Sequence, residues 1–150
     1  MKLTKDILRI VLIVFSAASI VLFFLPFATV TAGSETSYIF VKIENGLAGI
    51  EAASTAETKN IQDQLTANGW VALEGHNGVY YFSNEGANKV TATEQVDIKV
   101  FEKFTVKSDV SDLSGYSEKT IVITAYAVQA AGFANPKTAF ETAFPSNTNP

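Results

Sequence analysis

The chain has 150 residues, 47% hydrophobic and 17% charged, with a formal net charge of −4 and no cysteine. The absence of cysteine excludes disulfides, thiolate nucleophiles and zinc–thiolate sites together. The acidic balance, with Arg9 as the sole arginine, argues against nucleic acid as a partner, because phosphate binding rests on clustered Lys and Arg.

Residues 10–34 contain no charge, and Lys2, Lys5 and Arg9 precede them against a single Asp6. Such a run directs export with the positive end held inside. The apolar core at residues 10–25 fits both a secretory signal and a membrane anchor. Pro26 breaks the run, and Val30-Thr31-Ala32 presents small residues as a cleavage site requires. Two readings stay open: cleavage after Ala32, or retention of a helix through residues 7–32. Either way the chain divides into a signal or anchor at 1–32 and an extracellular domain at 33–150, secreted or displayed on the cell surface. That domain carries eight lysines against fourteen acidic residues, a net charge of −6.

Tyr38-Ile39-Phe40-Val41-Lys42-Ile43 reads as a strand from its β-branched and aromatic content. Asn45-Gly46 follows as a turn, with a short strand expected at 47–51. Ile61 and Leu65, four apart among polar residues, predict a helix over 57–67 that ends at Gly69. Residues 70–74 and 79–83 form a hairpin around Gly75-His76-Asn77-Gly78, placing Tyr80 and Phe82 on one side and Tyr81 on the other. A longer strand is expected over 89–107, with a break where the pattern changes face near Phe101. The near-continuous apolar run around residues 121–128 predicts a central strand buried on both faces. Asn135 and Pro136 announce a short helix with Phe140 and Phe144 on one face. The fold class expected is mainly β, a small antiparallel β-sandwich, jelly-roll or Ig-like, with one or two short helices.

Ala125-Tyr126-Ala127-Val128-Gln129 followed by Gly132-Phe133, together with Trp70 and Val79-Tyr80-Tyr81-Phe82, resembles the TasA/camelysin family of exported surface proteins over residues 62–144. The resemblance implies a jelly-roll-like sandwich and a role as a subunit of a surface or biofilm-matrix fibre. Some members of that family have been classed as metallopeptidases.

No catalytic constellation is visible in the residues themselves. His76 is the only histidine, in a loop expected at the surface, and it has no second His with which to form a zinc site. Asp109, Ser111 and Asp112 are weak calcium candidates, being oxygen-bearing side chains in one loop, but the same residues are ordinary turn formers. The expectation is therefore a non-enzymatic structural protein with no cofactor. It would self-associate into oligomers or fibres by strand addition, with Tyr38, Ile39, Phe40, Val41 and Ile43 as the assembly strand. The alternative is a membrane-anchored monomeric binding module that presents residues 75–78.

Overall fold

The computed structural model describes residues 28–30, 36–83, 85–90 and 96–145. Its organising element is β2 (Ser37–Asn45). Large apolar side chains occupy both parities of this strand. Ile39, Val41 and Ile43 enter one core cluster, while Tyr38 and Phe40 enter another. A strand apolar on both faces is stable only where both faces are covered. Accordingly β2 lies inside a four-stranded antiparallel sheet of order β3-β4-β2-β6. β6 (Ile121–Gln129) pairs along its whole length, from Ser37↔Gln129 to Asn45↔Ile121. On the other side β4 (Val79–Phe82) pairs Lys42↔Val79 through Phe40↔Tyr81, and β3 (Trp70–Ala72) completes a hairpin with β4.

Two expectations are corrected by this order. β6 is an edge strand rather than the central one, because only its first half carries large residues toward the first core. Ile121 and Ile123 are buried there, whereas Ala125, Ala127 and Gln129 are exposed. Residues 47–51 are a 3-10 turn (Ala48–Ile50) followed by a single bridge, Glu51↔Val106, not a strand. Gly46 does not close a tight hairpin. Its amide continues the β2–β6 ladder to the Thr120 carbonyl at 2.9 Å, and a Cβ at this position would lie 2.7 Å from that same oxygen.

The first face is covered by α1 (Ile61–Ala67), which contributes Ile61 and Leu65, and by Ile98, Val100, Phe101 and Phe104. The helix starts later than the pattern suggests. Thr55 Oγ1 accepts from the Glu57 and Thr58 amides in a local turn, and Asn60 then caps the helix by accepting from the Asp63 amide. Of the strand expected over 89–107, residues 91–95 lie outside the described residues; among those described, only β5 (Val96–Ile98) is a strand, with single bridges at Val90 and Val106. From residue 99 to 103 the backbone is bound by side chains instead of a strand ladder. Trp70 Nε1 donates to the Lys99 carbonyl, Asn68 Nδ2 to Val100 and Gln64 Nε2 to Lys103, while Gln64 Oε1 accepts from the Glu102 and Lys103 amides. Consecutive burial of Val100 and Phe101 matches the change of face expected at Phe101 and cannot occur in a regular strand with one covered face.

The second face is covered by α2 (Pro136–Ala143), capped by Asn135, whose side chain accepts from the Thr138 amide. Phe140, wholly buried, sits 5.1 Å from the Phe40 ring, 5.8 Å from Tyr126 and 5.2 Å from Phe144, centroid to centroid. The fold is thus mainly β, with one helix on each face of the sheet. A two-stranded antiparallel pair, β1 (Ala28–Val30) with β5, stands beside it, and Ile98 of β5 belongs to the first core. No helix among the described residues is long and apolar enough to cross a membrane. The signal or anchor expected at 1–32 lies outside the described residues except at Ala28–Val30, which is extended.

Candidate functional site

The sheet has two edges of unequal character. β3 is three residues long and β6 is nine. The Gly46 amide bonds to the Thr120 carbonyl and the Ala130 amide to the Thr36 carbonyl, both at the ends of the β2–β6 ladder, and these bonds set its phase. Even-numbered residues of β6 face β2. Ile121, Ile123, Ala125, Ala127 and Gln129 direct their amides and carbonyls away from the sheet. Among the described residues β6 pairs only with β2, so this row of donors and acceptors is open. Natural edges are usually blunted by lysine, proline, a bulge or shortness. β6 has no charged residue and no proline, and its nine-residue register is unbroken.

The residues expected to form the assembly strand, Tyr38, Ile39, Phe40, Val41 and Ile43, lie at the centre of the sheet with β4 on one side and β6 on the other. Donating this strand to another copy would require an exchange of equivalent strands between copies.

His76 departs from the expected surface turn. Its side chain is only 3% exposed, stacked edge-on to Phe140 at 5.3 Å, and Nε2 donates to Glu141 Oε1 at 3.1 Å. The hairpin loop turns inward because Gly75 and Gly78 both adopt positive φ, 81° and 72°, and a Cβ on Gly78 would meet the Ile43 carbonyl at 2.7 Å. Glu141 also pairs with Lys137 one turn earlier on α2. The Lys137 ammonium first, and His76 second, hold its carboxyl below the usual glutamate range. The arrangement clips the hairpin to α2. Glu141 was not legible as the partner, since 65 positions separate it from His76.

The calcium candidates lie in the loop that leads into the second 3-10 turn. Asp109, Ser111 and Asp112 are exposed, and Asp112 Oδ1 is engaged by the Ser114 amide at 2.8 Å, which starts the 3-10 turn Ser114–Tyr116 and lowers the Asp112 pKa. Among the described residues no group of three or more His, Cys, Asp or Glu is placed to hold a metal. The aromatic residues fall as the alternation predicts: Trp70, Tyr80 and Phe82 pack on the first core and Tyr81 on the second. Burial raises the Tyr80 pKa, and its hydroxyl donates to Gln62 Oε1 at 2.7 Å.

Comparison of the chain with protein-family models, with curated proteins and with solved structures found no match.

Proposed function

We propose that this protein is an exported structural subunit of a cell-surface or matrix assembly that associates by β-strand addition. The observation that carries the reading is the open β6 edge: nine residues, uncharged, regular, and unblunted by any of the usual devices. The charge-free run at 10–34 supports export, and the resemblance of residues 125–129 to TasA/camelysin proteins agrees with a matrix role. On this reading the fold is a jelly-roll or Ig-like sandwich built on the four-stranded sheet. The protein is neither an enzyme nor a metalloprotein.

The charge-free run equally suits a retained anchor, and with it a monomeric surface binding module. Expression of the tagged full chain, surface proteolysis, and sizing of the cell-wall and membrane fractions with electron microscopy separate the two. Protease-accessible polymers support the structural subunit. Protease-accessible monomer confined to the membrane fraction supports the anchored module and overturns the assembly reading, and a chain protected inside the cell overturns both.

A further inference from the structure

We propose that β6 pairs antiparallel with β6 of a second copy about a two-fold axis at Ala125, fusing two four-stranded sheets into one; this rests on the self-association reading above.

The phase of the ladder selects this pairing. Ile121, Ile123, Ala125, Ala127 and Gln129 each present one donor and one acceptor outward. In a two-fold arrangement centred on Ala125, each meets an outward-facing residue of the partner: Ile121 opposite Gln129, Ile123 opposite Ala127, and Ala125 opposite itself. Every open group on both edges is then satisfied by one isologous contact. Side-chain size and type agree with the register. On the first face the large Ile123 stands against the small, exposed Ala127. On the other face Val122 meets Val128 and Thr124 meets Tyr126, combinations of β-branched and aromatic residues that favour cross-strand contact.

Charge points the same way. Two copies of an acidic chain, each with net charge −4, repel unless the contact itself is free of like charges, and the sequence Ile-Val-Ile-Thr-Ala-Tyr-Ala-Val-Gln carries none. The other edges fit less well. β3 turns only Trp70 and Ala72 outward, and β5 is three residues long and contains Asp97. A two-fold contact closes on itself, so a fibre built on this dimer uses a second, different contact to propagate.

The absence of cysteine makes the test clean. In a hydrogen-bonded antiparallel pair the two Ala125 Cα atoms would lie about 5.5 Å apart, inside the disulfide range. The full-length chain with Ala125→Cys, in detergent micelles, should form a covalent dimer under mild oxidation much faster than a Ser117→Cys control placed on an exposed turn. Ala125→Lys with Ala127→Lys, both at exposed positions, should weaken association at least about tenfold by placing like charges across the axis. Trp70 fluorescence verifies that each variant is folded. Equal, slow cross-linking of both cysteine variants, or association untouched by the lysines, overturns β6 pairing. If the unmodified chain still sediments as an oligomer in that case, self-association stands and only this contact falls. If it sediments as a monomer at every concentration, both fall.

Discussion

Phe140→Ala tests whether the two faces of the sheet form one cooperative unit. Phe140 is completely buried and touches rings from β2, β6, the hairpin loop and the residue that ends its own helix: Phe40, Tyr126, His76 and Phe144. Truncating a ring so enclosed removes its transfer free energy and leaves a cavity, a loss of about 3–5 kcal/mol. Natural domains are stable by roughly 5–15 kcal/mol, so the variant should remain folded but weakened. With a urea dependence of about 2 kcal/mol per molar, the midpoint should fall by about 2 M. The assay is urea unfolding followed by Trp70 fluorescence, since the single tryptophan lies in the opposite core and reports damage there only if both clusters melt together. Both clusters hang on β2, so fluorescence and far-UV circular dichroism should shift in parallel. Phe140→Leu should cost under about 1.5 kcal/mol, because it fills most of the space. An unchanged Trp70 midpoint with loss of helical signal alone would show that α2 detaches independently, and would refute the shared-strand argument.

Three further outcomes are expected. Gly78→Ala should destabilise the domain by about 2–4 kcal/mol and Gly75→Ala by only about 1 kcal/mol, because both have positive φ but only the former meets backbone, the Ile43 carbonyl; paired thermal melts check the order. Glu51→Ala should cost about 1.5–3 kcal/mol, since its carboxylate accepts from the Ile61 amide at 2.6 Å and from Asn45 Nδ2 at 3.1 Å, tying the start of α1 to the end of β2; a urea midpoint equal to the parent's would contradict it. For Glu141 the folded pKa is depressed by Lys137 and His76, so its contribution is present above the ordinary glutamate pKa and disappears as pH falls through the lowered value. Stability curves of the parent and Glu141→Gln should accordingly differ at neutral pH and converge in acid, and a constant gap across the titration would rule out the ionic part of the clip.

Much of the local structure was legible in the sequence because it is set by near neighbours. The β3–β4 hairpin follows from glycines at positions that need positive φ, and α2 from Asn135 and Pro136 at its start. The division of Tyr80 and Phe82 from Tyr81 follows from alternation alone. Where local bonding competed, the reading ran long: the Thr55 turn and the Asn60 cap delay α1, and the side chains of Gln64, Asn68 and Trp70 replace a ladder after β5.

The sequence by itself determined the charge-free run at 10–34, the acidic and cysteine-free character, and the apolar strands from which a β domain must be built. Only the tertiary structure decided which of two apolar strands is central. Periodicity reports how many faces of a strand are apolar, but not what lies beyond its edges. Ile121 through Val128 therefore looked interior, whereas the residues at 38–43 occupy that place with large side chains on both faces. The same decision turned the strand expected to pair between copies into the hub of its own sheet. It left β6 at the sheet edge, with small exposed alanines and a row of amides and carbonyls that is unpaired among the described residues. Strand order depends on contacts between residues some eighty positions apart, and local pattern carries no record of them.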